Sequence, residues 1–441
     1  MTYEIALEKI HSLLTFGSRP GLDRMRELLR RLGNPQDKLR YIHVAGTNGK
    51  GSVCAVLSSV LVAAGYKTGL FISPYITDFR ERIQINNRMI DKETLARAVA
   101  ATFPVLEQLR EEGTVITEFE YVNALQFYIH AQARCDIVVL ETGMGGLLDC
   151  TNVIKPPLGA VITAIGRDHT AVLGDTLEAI AEQKCGIIKN GSAAFTSRQC
   201  REAMAVIEKT AARMNVPLTK SEDIEAHIEE MTLEGSRFTI GDMEYHIRLA
   251  GRHQVENALT ALAALFYFRN KKLLSISDEA ILDGLEAAAN PARLQLLGRN
   301  PIVLLDGAHN PNGVEALREA VRAFLPDTPI TCVTGMLADK DVNSATSLLK
   351  GLFRRVFTVP VDNPRTLAAQ SLAAIFAAQG DDAVACSSPQ EGIDRALAAA
   401  KQENGAVLIC GSLYLAGEIL SKRAPGAFSP RERDARSNPR N

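Results

Sequence analysis

Lys50 and Ser52 stand in the run Gly46-Thr47-Asn48-Gly49-Lys50-Gly51-Ser52, which brings three glycines, an amine and a hydroxyl within seven residues. That combination suits a polyphosphate. Glycine lets backbone N–H groups turn inward without a Cβ clash, lysine reaches outer phosphates, and a hydroxyl binds Mg²⁺. Glu141 closes the apolar run Ile137-Val138-Val139-Leu140, where its carboxylate offers an oxygen to a phosphate-bound Mg²⁺. Asp168-His169 and Asp306 to His309 likewise follow apolar runs. The chemistry implied is phosphoryl transfer or its regulation.

The elements that must position these residues are legible from periodicity. Tyr41 to Ala45 predicts a buried strand, and Val53, Val56, Leu57, Val60, Leu61 and Ala64 follow helical spacing with Gly65 as a C-terminal cap. A glycine turn between strand and helix puts the positive end of the helix dipole at the phosphates. Thr68 to Ser73, Asp136 to Glu141 and Ala160 to Ile165 predict parallel strands buried on both faces, and open α/β sheets bind ligands at the carboxyl ends of such strands. Helices are expected over residues 4–14, up to about Leu32, from Asp91 to about Arg110 and from Phe119 to Ala133, with a turn-rich loop from Phe16 to Leu22. Ile83 to Ile90 predicts a hairpin about Asn86-Asn87. Asp175-Thr176-Leu177-Glu178 has the form of a capping box opening the helix that carries Lys184.

Residues 222–249 predict a small antiparallel patch, then helices from about His253 to Phe268 and from Asp278 to Ala289. Asn290-Pro291 breaks the pattern and marks the domain junction. We expect an ATP-binding α/β unit with its connection over residues 1–297 and a smaller doubly wound, Rossmann-like unit over 298–421. Its strands lie at Ile302 to Asp306, Ile330 to Gly335, Phe357 to Pro360 and Ala406 to Gly411. The Arg-, Pro- and Ser-rich residues 422–441 have little to bury and predict a disordered tail.

The loop is not a strict P-loop, because Gly51 separates the lysine from the hydroxyl residue. With that extra glycine, Gly46 to Ser52 resembles the nucleotide loop of the folylpolyglutamate synthase and dihydrofolate synthase family of the Mur ligase superfamily. The resemblance runs from near the N-terminus to about Leu420. It implies a parallel-sheet ATPase domain followed by a Rossmann-like domain, and an ATP-dependent joining of L-glutamate to a folate or dihydropteroate carboxylate. It implies ATP contacts from Asn48, Gly49, Lys50, Gly51, Ser52, Asn257, Arg293 and Asp306. Two Mg²⁺ sites are implied at Ser52, Ser73, Glu141, His169 and a carbamylated Lys184, which from sequence alone would be an ordinary solvated helix lysine. Lys50, Lys184 and His309 take catalytic roles, and the hairpin region is a mobile loop over the site. Thr117 and Phe119 help to form the folate pocket, with Leu148, Asp149 and Cys150 on its pterin side, while Ser412 and Tyr414 line the amino-acid pocket.

Three positions depart from the family pattern. Leu147 replaces a usual arginine, Cys150 a usual alanine and Ala292 a usual glycine, whereas Asp149, Thr151 and Asn152 are kept.

Composition excludes several other classes. Hydrophobic residues make up 46% and charged residues 23% of 441, and the net charge of −2 gives no footprint for nucleic acid or an anionic membrane. No apolar run has the length of a membrane span and the N-terminus lacks the form of a signal peptide, so a cytoplasmic protein, expected to be a monomer, is predicted. Eight cysteines without a C-x-x-C pair read as reduced core residues. The alternatives are a nucleotide-dependent switch without ligase activity and another Mur-type amide ligase. Sequence does not choose between dihydropteroate, folates or both as acceptors of glutamate.

Overall fold

The computed structural model describes residues 1–13 and 21–422. Most of the expected loop from Phe16 and the expected tail beyond Lys422 lie outside the described residues. The chain divides into two compact units, one over Met1–Asn290 and one from Pro291 onward.

The first unit is built on an eight-stranded sheet. In chain order its strands are β1 (Tyr41–Ala45), β2 (Thr68–Phe71), β3 (Ile83–Ile85), β4 (Arg88–Met89), β5 (Ile137–Glu141), β6 (Gly159–Ile162), β7 (Ala193–Thr196) and β8 (Leu218–Lys220). Their spatial order is β4-β3-β2-β5-β1-β6-β7-β8, and only the β2-β3-β4 edge is antiparallel. β1 and β5 are buried at every position, as strands covered on both faces require. The helix Lys50–Ala63 and the apolar helix Arg252–Asn270 share one core with Ile42, Val44 and Val139, while the helices Lys92–Glu111 and Glu118–Gln132 share another with Leu140.

Local signals explain most element ends. Asp91 caps Lys92–Glu111, and Thr117 with Glu120 forms a reciprocal capping box on Glu118–Gln132. Asn86 (φ 53°) and Asn87 (φ 58°) turn the β3-β4 hairpin in the left-handed region that a two-residue hairpin loop needs. Several expectations are corrected. The first helix ends at His11, where Ser12 caps it. No box forms at Asp175 to Glu178, because the cap is Thr176, which accepts from the Ala179 N–H one residue further along. The strand expected to reach Ile165 stops at Ile162, since the Ala164 carbonyl turns away to accept from Thr47 and Asn48.

The antiparallel patch is a meander of β9 (Ala226–Thr232), β10 (Gly235–Ile240) and β11 (Met243–Ile247). The second unit carries β12 (Gln295–Arg299), β13 (Ile302–Leu305), β14 (Ile330–Thr334), β15 (Arg355–Thr358), β16 (Ala383–Ala385) and β17 (Ala406–Cys410), in the order β12-β13-β17-β14-β15-β16. All its pairs are parallel except β12-β13. β7, β8, β12 and β16 were not expected from the sequence; β8 and β16 have three residues each and are only half-buried, too short to show a period. Seven of the eight cysteines are buried, Cys200 is exposed and all are free thiols.

Two histidines set a pH limit on this fold. His43, in the middle of β1, and His130 are wholly buried, and burial holds them neutral, His43 pushed down to about 3 and His130 to about 4. The unfolded chain binds protons at both from about pH 6.5 downward while the folded chain does not, so stability falls as pH falls. We expect a loss of about 2 kcal/mol for each histidine between neutral pH and pH 5, measurable by urea denaturation at both pH values. His43→Gln should flatten that dependence.

Candidate active site

Strand register brings the first unit's chemistry to one edge. Val44 pairs with Glu141, Phe71 with Leu140 and Ala45 with Ile162, so β1, β2, β5 and β6 end side by side. The segments that follow carry Gly46 to Ser52, Ser73, Glu141 to Asp149 and Asp168-His169.

The loop after β1 is held from several sides. Thr163 Oγ1 donates to the Asn48 carbonyl at 2.7 Å, and a Cβ on Gly46 would come within 1.8 Å of Thr163 Oγ1. Gly49 (φ 86°) faces Asn257, whose Oδ1 would lie 2.3 Å from an added Cβ. Asn257 itself is hydrogen-bonded to Gln254. The first helical bond runs from Val53 to Gly49, leaving the N–H groups of Lys50, Gly51 and Ser52 ahead of the ladder at the positive end of the helix dipole. The extra glycine has a local reason: a Cβ on Gly51 would press within 3.3 Å of Asn290 Nδ2, which donates to Ser52 Oγ at 3.0 Å.

Lys50 Nζ lies 3.3 Å from the Thr47 carbonyl and 3.8 Å from Glu141 Oε1. The other oxygen of the buried Glu141 carboxylate accepts the Ser73 N–H at 3.2 Å. Lys184 differs most from its sequence appearance. It is 4% exposed, and its Nζ donates to the Gly46 carbonyl at 2.8 Å. Burial, then the Lys50 charge, push its ammonium down to about 7, with Asp168 and Asp149 opposing. Its helix therefore delivers a half-neutral amine to the floor of the nucleotide loop.

Thr47 Oγ1 and the Gly166 backbone exchange two 3.0 Å hydrogen bonds, tying the segment before His169 to this loop. His169 takes a left-handed conformation (φ 52°), its side chain is 46% exposed and its Nε2 lies 3.9 Å from Asp168 Oδ1.

Past Glu141 the chain folds on itself. Asp149, buried, accepts from the Met144 and Thr151 N–H groups and from Thr151 Oγ1, which also meets His43 Nε2 at 2.8 Å. Asn152 donates to the Leu147 and Gly186 carbonyls, and the Leu147 N–H donates to Gln183, so this loop is stapled to the end of the Lys184 helix. Asp149 is thus an organiser of its own loop. Phe119 packs on Gly143, where a Cβ would lie 2.2 Å from its ring, and Cys150 Sγ faces the Phe119 carbonyl. Thr117 is engaged in its cap. Leu147 and Leu148 are exposed apolar side chains.

In the second unit β13 and β17 end together, with Leu305 paired to Ile409. Asp306, buried after β13, accepts the Leu294 and Ala308 N–H groups, each at 2.7 Å, and Arg293 is the charge opposing the upward push of burial on its carboxyl. His309 donates from Nδ1 to the Gly307 carbonyl at 2.9 Å, which fixes the proton on that nitrogen. Ser412, buried, caps the helix Leu413–Ser421 through the Tyr414 N–H, and the half-exposed Tyr414 Oη lies 3.4 Å from Arg365. Ala292 has φ 57°, which explains the usual glycine: an alanine side chain there costs about 1 kcal/mol. Asn290, Thr163 and Gln295 were missed by sequence reasoning. Their only signal was a chain break or a polar residue near a strand end, and their partners are remote in sequence.

Residues 44–265 match the Mur ligase middle domain and residues 292–413 the Mur ligase glutamate ligase domain. The chain is 38% identical over 428 residues to the dihydrofolate synthase/folylpolyglutamate synthase of Bacillus subtilis, covering 95% of this chain and 99% of that one. It is 36% identical to the folylpolyglutamate synthase of Lacticaseibacillus casei, covering 95% and 98%. Among solved structures, Mycobacterium tuberculosis folylpolyglutamate synthase complexed with ADP and AMPPCP superposes with a TM-score of 0.87 at 28% identity, over 96% of this chain and 99% of that one. E. coli FolC in complex with DHPP and ADP gives 0.83 at 30%, over 95% and 97%. A phosphate cradle on a parallel sheet, a second Rossmann-like unit and these end-to-end matches lead to one conclusion: the chain belongs to the folylpolyglutamate synthase/dihydrofolate synthase family of Mur ligases.

Proposed function

We propose that this ATP-dependent ligase joins the amino group of L-glutamate to the carboxylate of a folate, and to that of dihydropteroate. The convergence of Lys50, Ser52, Glu141 and Lys184 on the loop after β1 carries this reading. A carboxylate and an amine do not condense unaided in water. The substrate carboxylate attacks the γ-phosphorus of ATP and ADP leaves; glutamate's amine then attacks the acyl carbon, loses its proton and expels phosphate. No protein nucleophile is needed. Lys50 and the N–H groups of Lys50, Gly51 and Ser52 hold the charge gathered about the transferring phosphoryl, and positioning supplies much of the rest.

The donors suit Mg²⁺. Glu141 and the hydroxyls of Ser52 and Ser73 are hard oxygens, and among the described residues no group of three or more His, Cys, Asp or Glu forms a cage of its own. Such sites share the ion with substrate phosphates, and when bound the ion supplies further charge neutralisation. His169 is the proposed remaining ligand. Lys184 is proposed to be carbamylated: its neutral amine adds to CO₂ and loses a proton, giving an anionic oxygen ligand in place of a cation. Arg293 and Asp306 are assigned to ATP, Asn257 to the adenine, His309 to the acyl-transfer step and Ser412 and Tyr414 to glutamate.

We place the enzyme in the cytoplasm as a monomer; among the described residues no helix is long and apolar enough to cross a membrane. A substrate panel read out as ADP formation and product mass tests the function. ADP formation indifferent to folates, dihydropteroate and glutamate would indicate a nucleotide switch instead.

Phe119, Leu148, Asp149 and Cys150 are assigned to the pterin-bearing substrate with Thr117. Replacing the usual arginine by Leu147 removes a charged hydrogen-bonding group worth about 1.5–3 kcal/mol, or about tenfold or more in affinity. Leu147→Arg is expected to lower the KM for dihydropteroate or tetrahydrofolate and leave that for ATP unchanged. The exposed Leu147 side chain leaves room for it. Steady-state kinetics with each substrate varied checks this, and unchanged folate KM values would show the departure to be without consequence.

A further inference from the structure

One polar residue interrupts the apolar strand β1. Tyr41, Ile42, Val44 and Ala45 all join hydrophobic cores, whereas His43, wholly buried among them, carries a ring whose nitrogens cost free energy to desolvate unless they are hydrogen-bonded. Its Nε2 lies 2.8 Å from Thr151 Oγ1, and among the described residues its buried Nδ1 has no partner. The far end of this contact fixes its direction. Thr151 Oγ1 has one hydrogen and lies 2.5 Å from Asp149 Oδ1, a carboxylate oxygen that can only accept. The hydroxyl therefore donates to Asp149 and accepts from His43, so the imidazole proton sits on Nε2 and Nδ1 carries a lone pair. Burial, then the Lys189 charge, keeps the ring neutral. The turn beyond is clamped at both ends: Asp149 accepts the Thr151 N–H at 3.0 Å and the Met144 N–H at 2.8 Å, and Lys189 Nζ donates to the Asn152 and Ile154 carbonyls at 2.9 and 2.5 Å.

We propose that His43 and Thr151 are positioning residues for the pterin-bearing substrate, forming a donor chain from the sheet that fixes Asp149 and the turn Gly143 to Asn152 around it. Packing alone gives no reason for an imidazole here, because an apolar side chain fills a strand interior without a desolvated nitrogen. β1 is paired on both sides, to β5 and β6, so Nε2 is a fixed point. From it the chain reaches Oδ1, which takes two donors from Thr151, and the carboxylate cannot rotate without breaking both. The turn so held faces Phe119, whose ring packs on Gly143 and whose carbonyl meets Cys150 Sγ. A pocket wall ordered in advance loses less freedom when substrate binds. The proposal rests on the assignment of Phe119, Asp149 and Cys150 to that substrate, and adds two residues that act on it through Asp149.

Kinetics with the acceptor (tetrahydrofolate or dihydropteroate) and ATP varied in turn test it, with thermal unfolding followed in parallel. Thr151→Val keeps the shape and removes the hydroxyl; it is expected to raise the acceptor KM about five- to tenfold and to change the ATP KM less than about twofold. His43→Leu should do the same, and in the Thr151→Val background it should add less than about twofold, as two members of one chain require. Thr151→Ser and His43→Gln keep a hydroxyl and a donor and should both stay near the native acceptor KM. If His43→Leu fails to fold, Thr151→Val against Thr151→Ser decides the matter. Nitrogen-15 NMR of the native enzyme, with the His43 signal identified by its loss in His43→Gln, should show the proton on Nε2; a proton on Nδ1 would overturn the chain. Variants that unfold at lower temperature with an unchanged acceptor KM, or that raise both KM values together, would reduce the pair to a structural role. Asp149→Asn separates the proposal from its footing. An unchanged acceptor KM in that variant would overturn the assignment of Asp149, and the proposal with it, whereas a raised one beside a silent Thr151→Val would overturn the positioning role alone.

Discussion

Lys50→Ala is expected to abolish measurable ligation, a loss of about three orders of magnitude or more, with the fold intact. The size follows from what the amine does: preorganised charge aimed at a transferring phosphoryl is worth about 10²–10³ for a single donor and more for a full cation in a water-poor site. The intact fold follows from what the amine does not do. Its nearest partners are a loop carbonyl and the Glu141 carboxylate at 3.8 Å, and that carboxylate keeps the Ser73 N–H when the lysine is gone. ADP formation with all substrates present, and circular dichroism with thermal unfolding, check both halves. Near-normal turnover would sink the assignment of the loop.

Lys184→Ala should also lose most activity, and, if the proposed carbamate is present, the loss should be partly restored by formate or acetate, whose carboxylates would take the place of its oxygens. Carbamylation needs an amine lone pair. An ordinary lysine is protonated at neutral pH, but burial and the Lys50 charge bring Lys184 down to about 7. As pH falls through that value the amine protonates and the proposed carbamate would be lost, so activity should fall toward pH 6 and respond to added bicarbonate. The stability term has the same sign. Between about pH 7 and the ordinary lysine value the unfolded chain binds the extra proton, and stability rises with pH across that window. Carbon-13 NMR with labelled bicarbonate reads the modification directly. Full activity in the alanine variant, with no labelled signal in the native enzyme, would refute the modification.

How much of this was legible in the sequence can be seen residue by residue. The strand, glycine turn and helix from Tyr41 to Ala64 were, because glycine placement and apolar period are local properties. So were Glu141 at the end of a doubly buried strand and the Asn86-Asn87 turn, where backbone preference alone selects the geometry. The Asp175 box was not, since Asp and Thr both cap helices and stand side by side there, and the cap fell on Thr176, which accepts the Ala179 N–H. The short half-buried strands β8 and β16 left no periodic trace.

Residue identity determined which groups could do chemistry in this protein: the amines of Lys50 and Lys184, the carboxylates of Glu141 and Asp306, and the hydroxyl of Ser52. Tertiary structure alone decided their state and use. Lys184 became a weaker base because the fold buried it and brought the Lys50 charge near it, while its Nζ came to rest on the Gly46 carbonyl, 138 positions away along the chain. Gly51 became explicable through Asn290, and Asp306 was turned inward onto the Leu294 and Ala308 N–H groups. Periodicity and turn preference act over a few residues and are written in the local sequence, whereas desolvation, charge proximity and backbone strain depend on which distant segments the sheet edge brings together.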